Sequence, residues 1–536
     1  MTPPAATPKS PPAIDAGWTV LLLLAAGSAV AFLWLVAQRL PYPHELEWME
    51  GAMADHAHRI ASGQALYCAP TPEHVPFLYA PLLFWLAGGL QALGVPELLA
   101  LRGISVACSL GIALLVGHWV RVHTGRFRPG LVASGVFVAG YGWLWWWYDL
   151  ARNDSLFLLL ILGTAYALQH AGRGRLLVAA LLATAALLAK QSAAMWLPAI
   201  GVGALCLDWR LGWRFCVLGA TLCAAAIGAL HWHSDGWSTF YLFDMPRHHG
   251  VEGSRKLGFW TEDVLPMLPL LLLGLGGFLA AVRRDPRGAL FLAAVGSGGL
   301  LTSWASRLHV GGFDNVLIYA FAAACVLGPA AVQTRARWLE WLTPGLLAVQ
   351  FVVLFGLAWH RHPEITALPS PAHRAAHEQL QDFLQKVDGD VFLPGHGAVT
   401  RRAGKPASAH GQAIFDLLQV LPRLPNGNLD LGVLVDEARL GTLPPRAAAA
   451  LRSFRDGVVQ GLASQRFGAL VLDQQLAASF EALFAFGIAG ADAKFGTADD
   501  LYTRRAAPLL ENGKALNPLV GFEVHSPYAL EAVGKR

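Results

Sequence analysis

The stretch VLLLLAAGSAVAFLWLVA, residues 20–37, carries no charged side chain. A helix of about 20 apolar residues crosses the hydrocarbon core of a bilayer, so this stretch predicts a membrane span. The Pro- and Ala-rich segment before it, residues 1–16, is too long for a signal peptide and lacks a clear small-residue cleavage site. We therefore expect a disordered cytoplasmic tail over 1–16, followed by a retained signal-anchor.

Similar apolar runs recur along the first two thirds of the chain. They lie near 99–120, 130–148, 155–170, 176–189, 192–207, 215–231, 264–282, 289–305, 316–332 and 344–359. Together with the first run they predict about 11 transmembrane helices. The run 77–93 is a further candidate, but Pro81 and a glycine pair interrupt it, so it is either a full span or an interfacial helix.

Composition and charge distribution divide the chain into two parts. Of its 536 residues, 55% are hydrophobic and only 14% are charged. A soluble domain has about 25% charged residues, so a purely cytosolic enzyme is excluded. Residues 360–536 nevertheless hold 36 of the 76 charged side chains and no membrane-length apolar run. We expect an α-helical polytopic membrane domain over 17–359 and a soluble domain over 360–536.

The soluble part alternates helical patterns with short apolar stretches at 389–394 and 467–473, which indicates a small α/β domain. His373 and His377 are one helical turn apart but lack a third zinc ligand. The acidic segment 492–500 departs from the pattern of a calcium loop. Nothing in this part predicts a nucleotide site.

Loop charges predict the orientation. If 77–93 does not cross, the tail and five short loops on its side carry 13 Lys and Arg residues against four acidic ones. Such loops mark the cytoplasmic face. The sequence therefore predicts a cytoplasmic N-terminus in the plasma (inner) membrane, with interfacial helices in a first outer loop over 38–98. The C-terminal domain is expected on the extracytoplasmic side.

With this orientation, unusual polar clusters lie on the outer side. Glu47 and Glu50 are three residues apart and would share a helix face. A carboxylate there could deprotonate or orient a hydroxyl, although a solvated acidic face would show the same spacing. Arg152 and Asp154 lie where a span begins; ionisable groups at that depth usually have a function or form a pair.

Two further outer segments could bind an anion. Lys190 is a basic residue on the outer face, where Lys and Arg are less common than on the cytoplasmic face. It either anchors its helix at the membrane interface or binds a phosphate. The loop 306–315 contains Arg307, His309, Asn315 and two glycines, which suit an anion as well as a tight turn. Carboxylates, cations and aromatic rings at one interface suit a lipid-linked anionic substrate.

Five short motifs follow one another along the membrane part. They are Glu47-x-x-Glu50-Gly51, Tyr79-Ala80-Pro81-Leu82, Ala151 to Leu156, Ala189-Lys190 before Pro198, and Gly311-Gly312-x-x-Asn315. In order, spacing and sidedness they resemble the motifs of the GT-C glycosyltransferases of the protein mannosyltransferase and aminoarabinose transferase type. The resemblance covers roughly 17–330. Met49-Glu50 replaces the family's Asp-Glu pair, which leaves open which Glu is the base.

The resemblance implies a GT-C-like transferase that moves a sugar from a polyprenyl-phosphate donor to an extracytoplasmic lipid, glycan or protein by inverting displacement. The implied catalytic residues are Glu47, Glu50 and Asp154, and the implied substrate- and phosphate-binding residues are Arg152, Lys190, Tyr79, Arg307, His309 and Asn315. A divalent metal is possible, whereas a nucleotide cofactor or a nucleic-acid partner is not expected. The alternatives are a transporter or flippase of a lipid-linked or small polar solute, and a membrane scaffold.

Overall fold

Helices make up most of the chain through Arg361. The computed structural model describes residues 12–170, 172, 174–334, 337–361, 368–472, 502–506 and 531–535. The helices of this part are α1 (Pro12–Arg39), α2 (Glu50–Ala61), α3 (Leu82–Ala92), α4 (Glu97–Thr124), α5 (Phe127–Trp143), α6 (Asp154–His170), α7 (Arg175–Ala189), α8 (Ala193–Leu207), α9 (Trp209–His233), α10 (Trp237–Thr239), α11 (Arg255–Gly258), α12 (Leu268–Ala281), α13 (Pro286–Leu308), α14 (Leu317–Ala330) and α15 (Arg337–Arg361). Short π-helical and 3-10 turns lie at Phe240–Asp244, Met245–His248, Phe259–Asp263, Leu265–Met267, Asp314–Val316 and Ala331–Thr334.

Six of the described helical segments are long and apolar enough to cross a membrane. They are Asp15–Arg39, Glu97–Thr124, Trp209–His233, Arg255–Ala281, Pro286–Leu308 and Trp338–His360. Each of the other predicted runs also overlaps a helix, but these helices are shorter. The multi-pass helical architecture therefore follows from the structure, whereas the count of 11 crossings stays a prediction.

The first helix begins earlier than the sequence predicts. Helix α1 starts at Pro12, so the last residues of the expected tail are helical, and residues 1–11 lie outside the described part. Proline is well suited to a first helical turn because its missing N–H would have no intrahelical partner there. Likewise α15 ends at Arg361, two residues beyond the predicted end of the membrane domain.

Small residues allow the helices to approach closely. A Cβ atom on Gly298 of α13 would lie 2.5 Å from the Trp196 ring of α8, and one on Gly135 of α5 would overlap Ala25 of α1. Close contact between backbones is a common way for membrane helices to associate, since lipid removes the hydrophobic driving force between them.

The segment 77–93 forms the helix α3, which is only 11 residues long. At 1.5 Å per residue it is about half as long as a membrane span requires. Helix α3 packs against α2 and α4 instead.

The C-terminal part contains both helices and strands. Its helices are α16 (Pro371–Lys386), α17 (Val399–Arg402), α18 (Gly411–Leu418), α19 (Glu437–Leu440) and α20 (Pro445–Ala463), with a 3-10 turn at Leu431–Val435. Its strands are β1 (Asp390–Phe392), β2 (Phe467–Leu472), β3 (Tyr502–Ala506) and β4 (Glu531–Lys535), in the sheet order β1-β2-β4-β3. β1 and β2 are parallel, and the other two pairings are antiparallel. Because 473–501 and 507–530, including the acidic segment 492–500, lie outside the described residues, a separate α/β domain over 360–536 stays a prediction.

The C-terminal part contacts the loop after α1 and the helix α2. His396 Nδ1 is 2.8 Å from Glu45 Oε2, and the Ala398 N–H donates to Asp55 Oδ2 at 2.7 Å. A Cβ atom on Gly51 would overlap the Gly397 carbonyl, so two glycines are needed where the backbones meet. This contact places the C-terminal part at the same end of the helix bundle as Glu47 and Glu50.

Candidate active site

A cavity of about 920 Å³ lies at this end of the bundle. Its walls come from the loops that precede α2, α3 and α6, the turn between α7 and α8, the segment around 246–263, the loop between α13 and α14, and helix α18 of the C-terminal part. Seven predicted site residues line it, namely Glu47, Tyr79, Arg152, Lys190, Arg307, His309 and Asn315. Glu50 and Asp154 are not among its lining residues.

Glu47 is a buried carboxylate on the cavity wall. Its side chain is 1% exposed, and its Oε2 lies 3.3 Å from Arg152 Nη1. Burial raises the pKa of Glu47 to about 7, because the charged form loses its hydration. Arg152 opposes this rise, whereas Glu50 and Glu45 add to it. A carboxyl group with a pKa near neutrality is suited to accept a proton in a reaction.

Glu50 lies at the start of α2, away from the cavity, and its oxygens are fully engaged. They accept hydrogen bonds from Arg102 Nε at 3.0 Å and Nη2 at 2.5 Å, from the Leu46 N–H at 2.6 Å and from the Ala151 N–H at 2.8 Å. Although burial alone would raise the pKa of Glu50, Arg102 and the backbone donors hold it below its usual value. Glu50 thus joins α2, α4 and the loop before α6, and no lone pair remains for a substrate.

Asp154 is the first residue of α6 and lies directly behind the cavity wall. Its Oδ1 accepts hydrogen bonds from Lys190 Nζ at 2.6 Å, Tyr319 Oη at 2.8 Å and Asn315 Nδ2 at 3.0 Å. Lys190 and Asn315 both line the cavity. Asp154 therefore holds the Lys190 amine and the Asn315 amide in place at the wall. Burial lowers the pKa of Lys190, and the charge of Asp154 opposes this fall.

Arg152 is held by four neighbours at once. Its Nη2 donates to Tyr79 Oη at 3.0 Å, its Nη1 contacts Met49 Sδ at 2.8 Å, and its guanidinium carbon lies 5.0 Å from the centroid of the Trp147 ring. The fourth neighbour is Glu47. No hydrogen-bond partner is found for Arg152 Nε within the described chain. A guanidinium fixed in this way is well suited to an anionic oxygen, because little side-chain freedom is lost on binding.

The tryptophan-rich turn beside Arg152 has an unusual backbone. Trp145 and Trp146 have positive φ angles of 54° and 62°, a conformation that bulky residues rarely adopt. Trp145 and Trp147 line the cavity, and each packs against the ring of Phe313. Surrounding contacts must maintain such a strained turn, which is a common feature of binding sites.

Arg307 and His309 line the cavity from the loop between α13 and α14 and the end of α13. The Arg307 guanidinium is paired with Asp263 at 2.9 Å and Asp314 at 2.7 Å, and it donates to the Gly312 carbonyl at 2.9 Å. Two carboxylates neutralise its charge, so Arg307 is less suited to a phosphate than Arg152 or Lys190. The His309 ring lies 4.5 Å from the ring of His249.

Sequence reasoning missed several residues of this site. Arg102 could have been predicted from the sequence, since an arginine inside an apolar run usually has a buried partner. His249, Gln412 and Asp416 line the cavity but left no signal in the sequence. Gln412 and Asp416 lie more than 350 residues after Glu47, and only the docking of the C-terminal part brings them together.

No group of three His, Cys, Asp or Glu side chains is arranged to hold a metal ion within the residues that the structure describes. His377 stacks on His44 at 4.8 Å between ring centroids, at the contact between the C-terminal part and the loop after α1. The possible divalent metal remains without a candidate site there.

The sequence matches no protein-family model and no curated protein. Solved structures match the fold, among them two of ArnT from Cupriavidus metallidurans, one bound to undecaprenyl phosphate and one in the apo state. For each, the TM-score is 0.53 at 14% sequence identity, and the match covers 87% of this chain and 94% of that chain. The chain has an ArnT-like fold. This confirms, at the level of the fold, the resemblance predicted from the five motifs.

The ArnT-like match extends beyond the motifs. They lie between residues 47 and 315, whereas a match over 87% of the chain must include much of the C-terminal part as well. The likeness therefore concerns the helix bundle together with the part that contacts its site-bearing end.

Proposed function

We propose that this protein is an integral-membrane glycosyltransferase that moves a sugar from a polyprenyl-phosphate donor to an extracytoplasmic lipid, glycan or protein. The observation that carries the proposal is the cavity at one end of an ArnT-like fold, where the buried Glu47 pairs with Arg152 and Lys190 lies on the same lining. The undecaprenyl phosphate bound to ArnT in one matched structure supports a lipid-linked phosphate as the ligand.

In the proposed reaction, an acceptor hydroxyl oxygen attacks the anomeric carbon of the donor sugar. The bond between this carbon and the phosphate oxygen breaks, and polyprenyl phosphate leaves with the electron pair. Glu47 takes the hydroxyl proton, which its neutral-range pKa permits. A single displacement of this kind inverts the configuration at the anomeric carbon.

Arg152 and Lys190 would stabilise the negative charge that develops on the leaving phosphate. Charge-assisted hydrogen bonds from fixed donors are strong in a site that excludes water. Asp154, which also accepts a hydrogen bond from Asn315, would keep Lys190 in position, and Tyr79 would do the same for Arg152. Glu50 would then be a positioning residue, because Arg102 and two backbone N–H groups occupy its oxygens.

The proposal is tested with purified full-length protein in lipid nanodiscs and with a deletion strain. Wild type should bind undecaprenyl phosphate, and Lys190→Met and Arg152→Met should each weaken binding by about tenfold or more. Arg247→Met is the matched control, since Arg247 is exposed and pairs only locally with Asp244. Wild type that does not bind undecaprenyl phosphate would contradict the proposal.

Catalysis is tested by mass spectrometry of the glycans and glycolipids lost in the deletion strain. Glu47→Gln should fold and bind undecaprenyl phosphate but restore the product about 10²–10⁴-fold more slowly. Asp244→Asn, an exposed carboxylate outside the cavity, should restore it fully. A transporter, the alternative reading, would instead move a solute across proteoliposomes without a covalent product.

A further inference from the structure

Asp416 is a buried acidic residue of the cavity wall that the proposed reaction does not use. Asp416 belongs to α18, and its side chain is 4% exposed. Gln412, one turn earlier on the same helix, donates a hydrogen bond from Nε2 to Asp416 Oδ1 at 2.8 Å. Both residues line the cavity. A buried carboxylate without a close cation is costly, so its retention on a cavity wall indicates a role in binding.

His249 lies next to Asp416 and is also buried, with its side chain 2% exposed. Neither of its ring nitrogens has a hydrogen-bond partner among the described residues. Its Nε2 is 3.6 Å from Asp416 Oδ1, which is too long for a hydrogen bond. Buried polar groups normally have partners, so an imidazole without one at a cavity wall indicates that a ligand supplies it.

The chemistry of this wall differs from that of the wall formed by Arg152 and Lys190. A carboxylate, an amide and an imidazole together accept and donate hydrogen bonds, which suits the hydroxyl groups of a sugar. An ionised Asp416 would repel a phosphate, so a phosphate is expected to bind at Arg152 and Lys190 rather than at Asp416. Tyr79 also lines the cavity, and its hydroxyl accepts a hydrogen bond from Arg152 Nη2 at 3.0 Å.

We propose that Asp416 and His249, supported by Gln412, form a subsite that binds adjacent hydroxyl groups of a sugar. This inference rests on the proposed function and extends it, because it makes the C-terminal part a component of the active site. The hydroxyls belong either to the donor sugar or to a carbohydrate acceptor, and both sources present the same chemistry.

The protonation of the pair agrees with a neutral ligand. Burial raises the pKa of Asp416 to about 7, and Gln412 opposes the rise. Burial lowers the pKa of His249 to about 4, and the neighbouring His309 adds to the fall. At neutral pH the imidazole is therefore uncharged, and Arg423, which also lowers the pKa of His249, is held by Gln419 and the Gly427 carbonyl.

The experiment uses full-length protein in nanodiscs and two lipid probes. One is undecaprenyl phosphate, and the other is the glycosylated polyprenyl phosphate isolated from the membranes of the same organism. Asp416→Asn, His249→Gln and the double variant are compared with Asp382→Asn, an exposed carboxylate on α16. Thermal unfolding of each variant shows whether it is folded before binding is measured.

If the donor sugar occupies the subsite, Asp416→Asn and His249→Gln should bind the glycosylated probe about tenfold more weakly or worse, with undecaprenyl phosphate binding unchanged. If the acceptor occupies it, both lipids should bind normally while KM for the acceptor rises by a similar factor. Either result supports the subsite, and Asp382→Asn should behave as wild type in both.

The inference is overturned if folded Asp416→Asn keeps wild-type donor binding and acceptor KM, or if it loses both lipids equally. The second result would mean that Asp416 only maintains the cavity. Failure of the proposed function looks different, since wild type itself would then bind neither lipid.

Discussion

At the scale of the residue, surroundings give two nearby carboxylates different properties. Glu47 has one cation beside it and lies on the cavity, whereas Glu50 accepts four hydrogen bonds away from it. Burial therefore dominates the pKa of Glu47, while Arg102 and the backbone donors dominate that of Glu50. A proton can be exchanged at Glu47 near neutral pH, but Glu50 stays ionised.

The first prediction concerns pH. The reaction needs ionised Glu47, and its pKa is raised to about 7, so the transfer rate should fall as pH decreases through about 7 and level off above it. Initial rates between about pH 5.5 and 8.5 would show this. The residual rate of Glu47→Gln should lack this inflection. A wild-type rate that is flat between about pH 6 and 8 would contradict the assignment of Glu47 as the base.

At the scale of the element, the Glu50–Arg102 pair joins α2 to α4, and both side chains are 0% exposed. Glu50→Gln leaves the Arg102 guanidinium buried without its counter-charge, which should reduce stability by about 3–5 kcal/mol. Thermal unfolding in detergent would measure the loss. The double variant Glu50→Gln/Arg102→Met should recover part of it, but not all, because the Tyr42 and His44 carbonyls lose their donor.

The same variants decide between the two glutamates. Folded molecules of the double variant should retain transfer activity, since neither residue lines the cavity. If Glu50→Gln instead unfolds at the wild-type temperature yet is inactive, Glu50 rather than Glu47 is the base.

Helix α3 offers a matched pair of glycines. A Cβ on Gly88 would lie 2.8 Å from the Ala57 carbonyl of α2, whereas one on Gly89 would meet no atom within 4 Å. Gly88→Ala should therefore destabilise the packing of α3 on α2 by about 1–3 kcal/mol. Gly89→Ala should be neutral or stabilise by up to about 1 kcal/mol, because alanine favours a helix. Equal unfolding temperatures for the two variants would contradict this packing.

At the scale of the whole molecule, the two ends of the bundle differ in charge and in role. At one end Arg128 pairs with Asp15 and Arg126 with Glu340, so the starts of α1, α5 and α15 lie together. The cavity and the C-terminal part lie at the other end, where Arg39 pairs with Asp149. The short loops rich in Lys and Arg lie at the first end, which indicates that this end faces the cytoplasm.

Thiol labelling would test this orientation. Single cysteines are introduced by Asn428→Cys in the C-terminal part and by Arg287→Cys in the first turn of α13, both exposed, in a cysteine-free background. A membrane-impermeant reagent added outside intact cells should label position 428 and spare position 287. The opposite pattern would place the cavity in the cytoplasm and exclude an extracytoplasmic acceptor.

The sequence predicts well what depends on local pattern. Each apolar run overlaps a helix, and the motifs locate Glu47, Arg152 and Lys190 at one cavity. It predicts poorly what depends on partners far along the chain. The separate environments of Glu47 and Glu50 require Arg102, and the contribution of Asp416 requires docking of a segment hundreds of residues away. The first residue of a helix, such as Pro12 of α1, depends on the backbone conformation at the helix end, and an apolar pattern does not predict that conformation.

The contact between Glu45 and His396 joins residues 351 positions apart. A ribosome adding about 5–20 residues per second needs roughly 20–70 s to make the second after the first. During that interval the segment that covers the acidic loop does not exist, and we expect Glu47 to be hydrated, with the ordinary acidity of an exposed carboxylate. Docking of the segment around His396 would then be the step that buries Glu47 and raises its pKa to about 7.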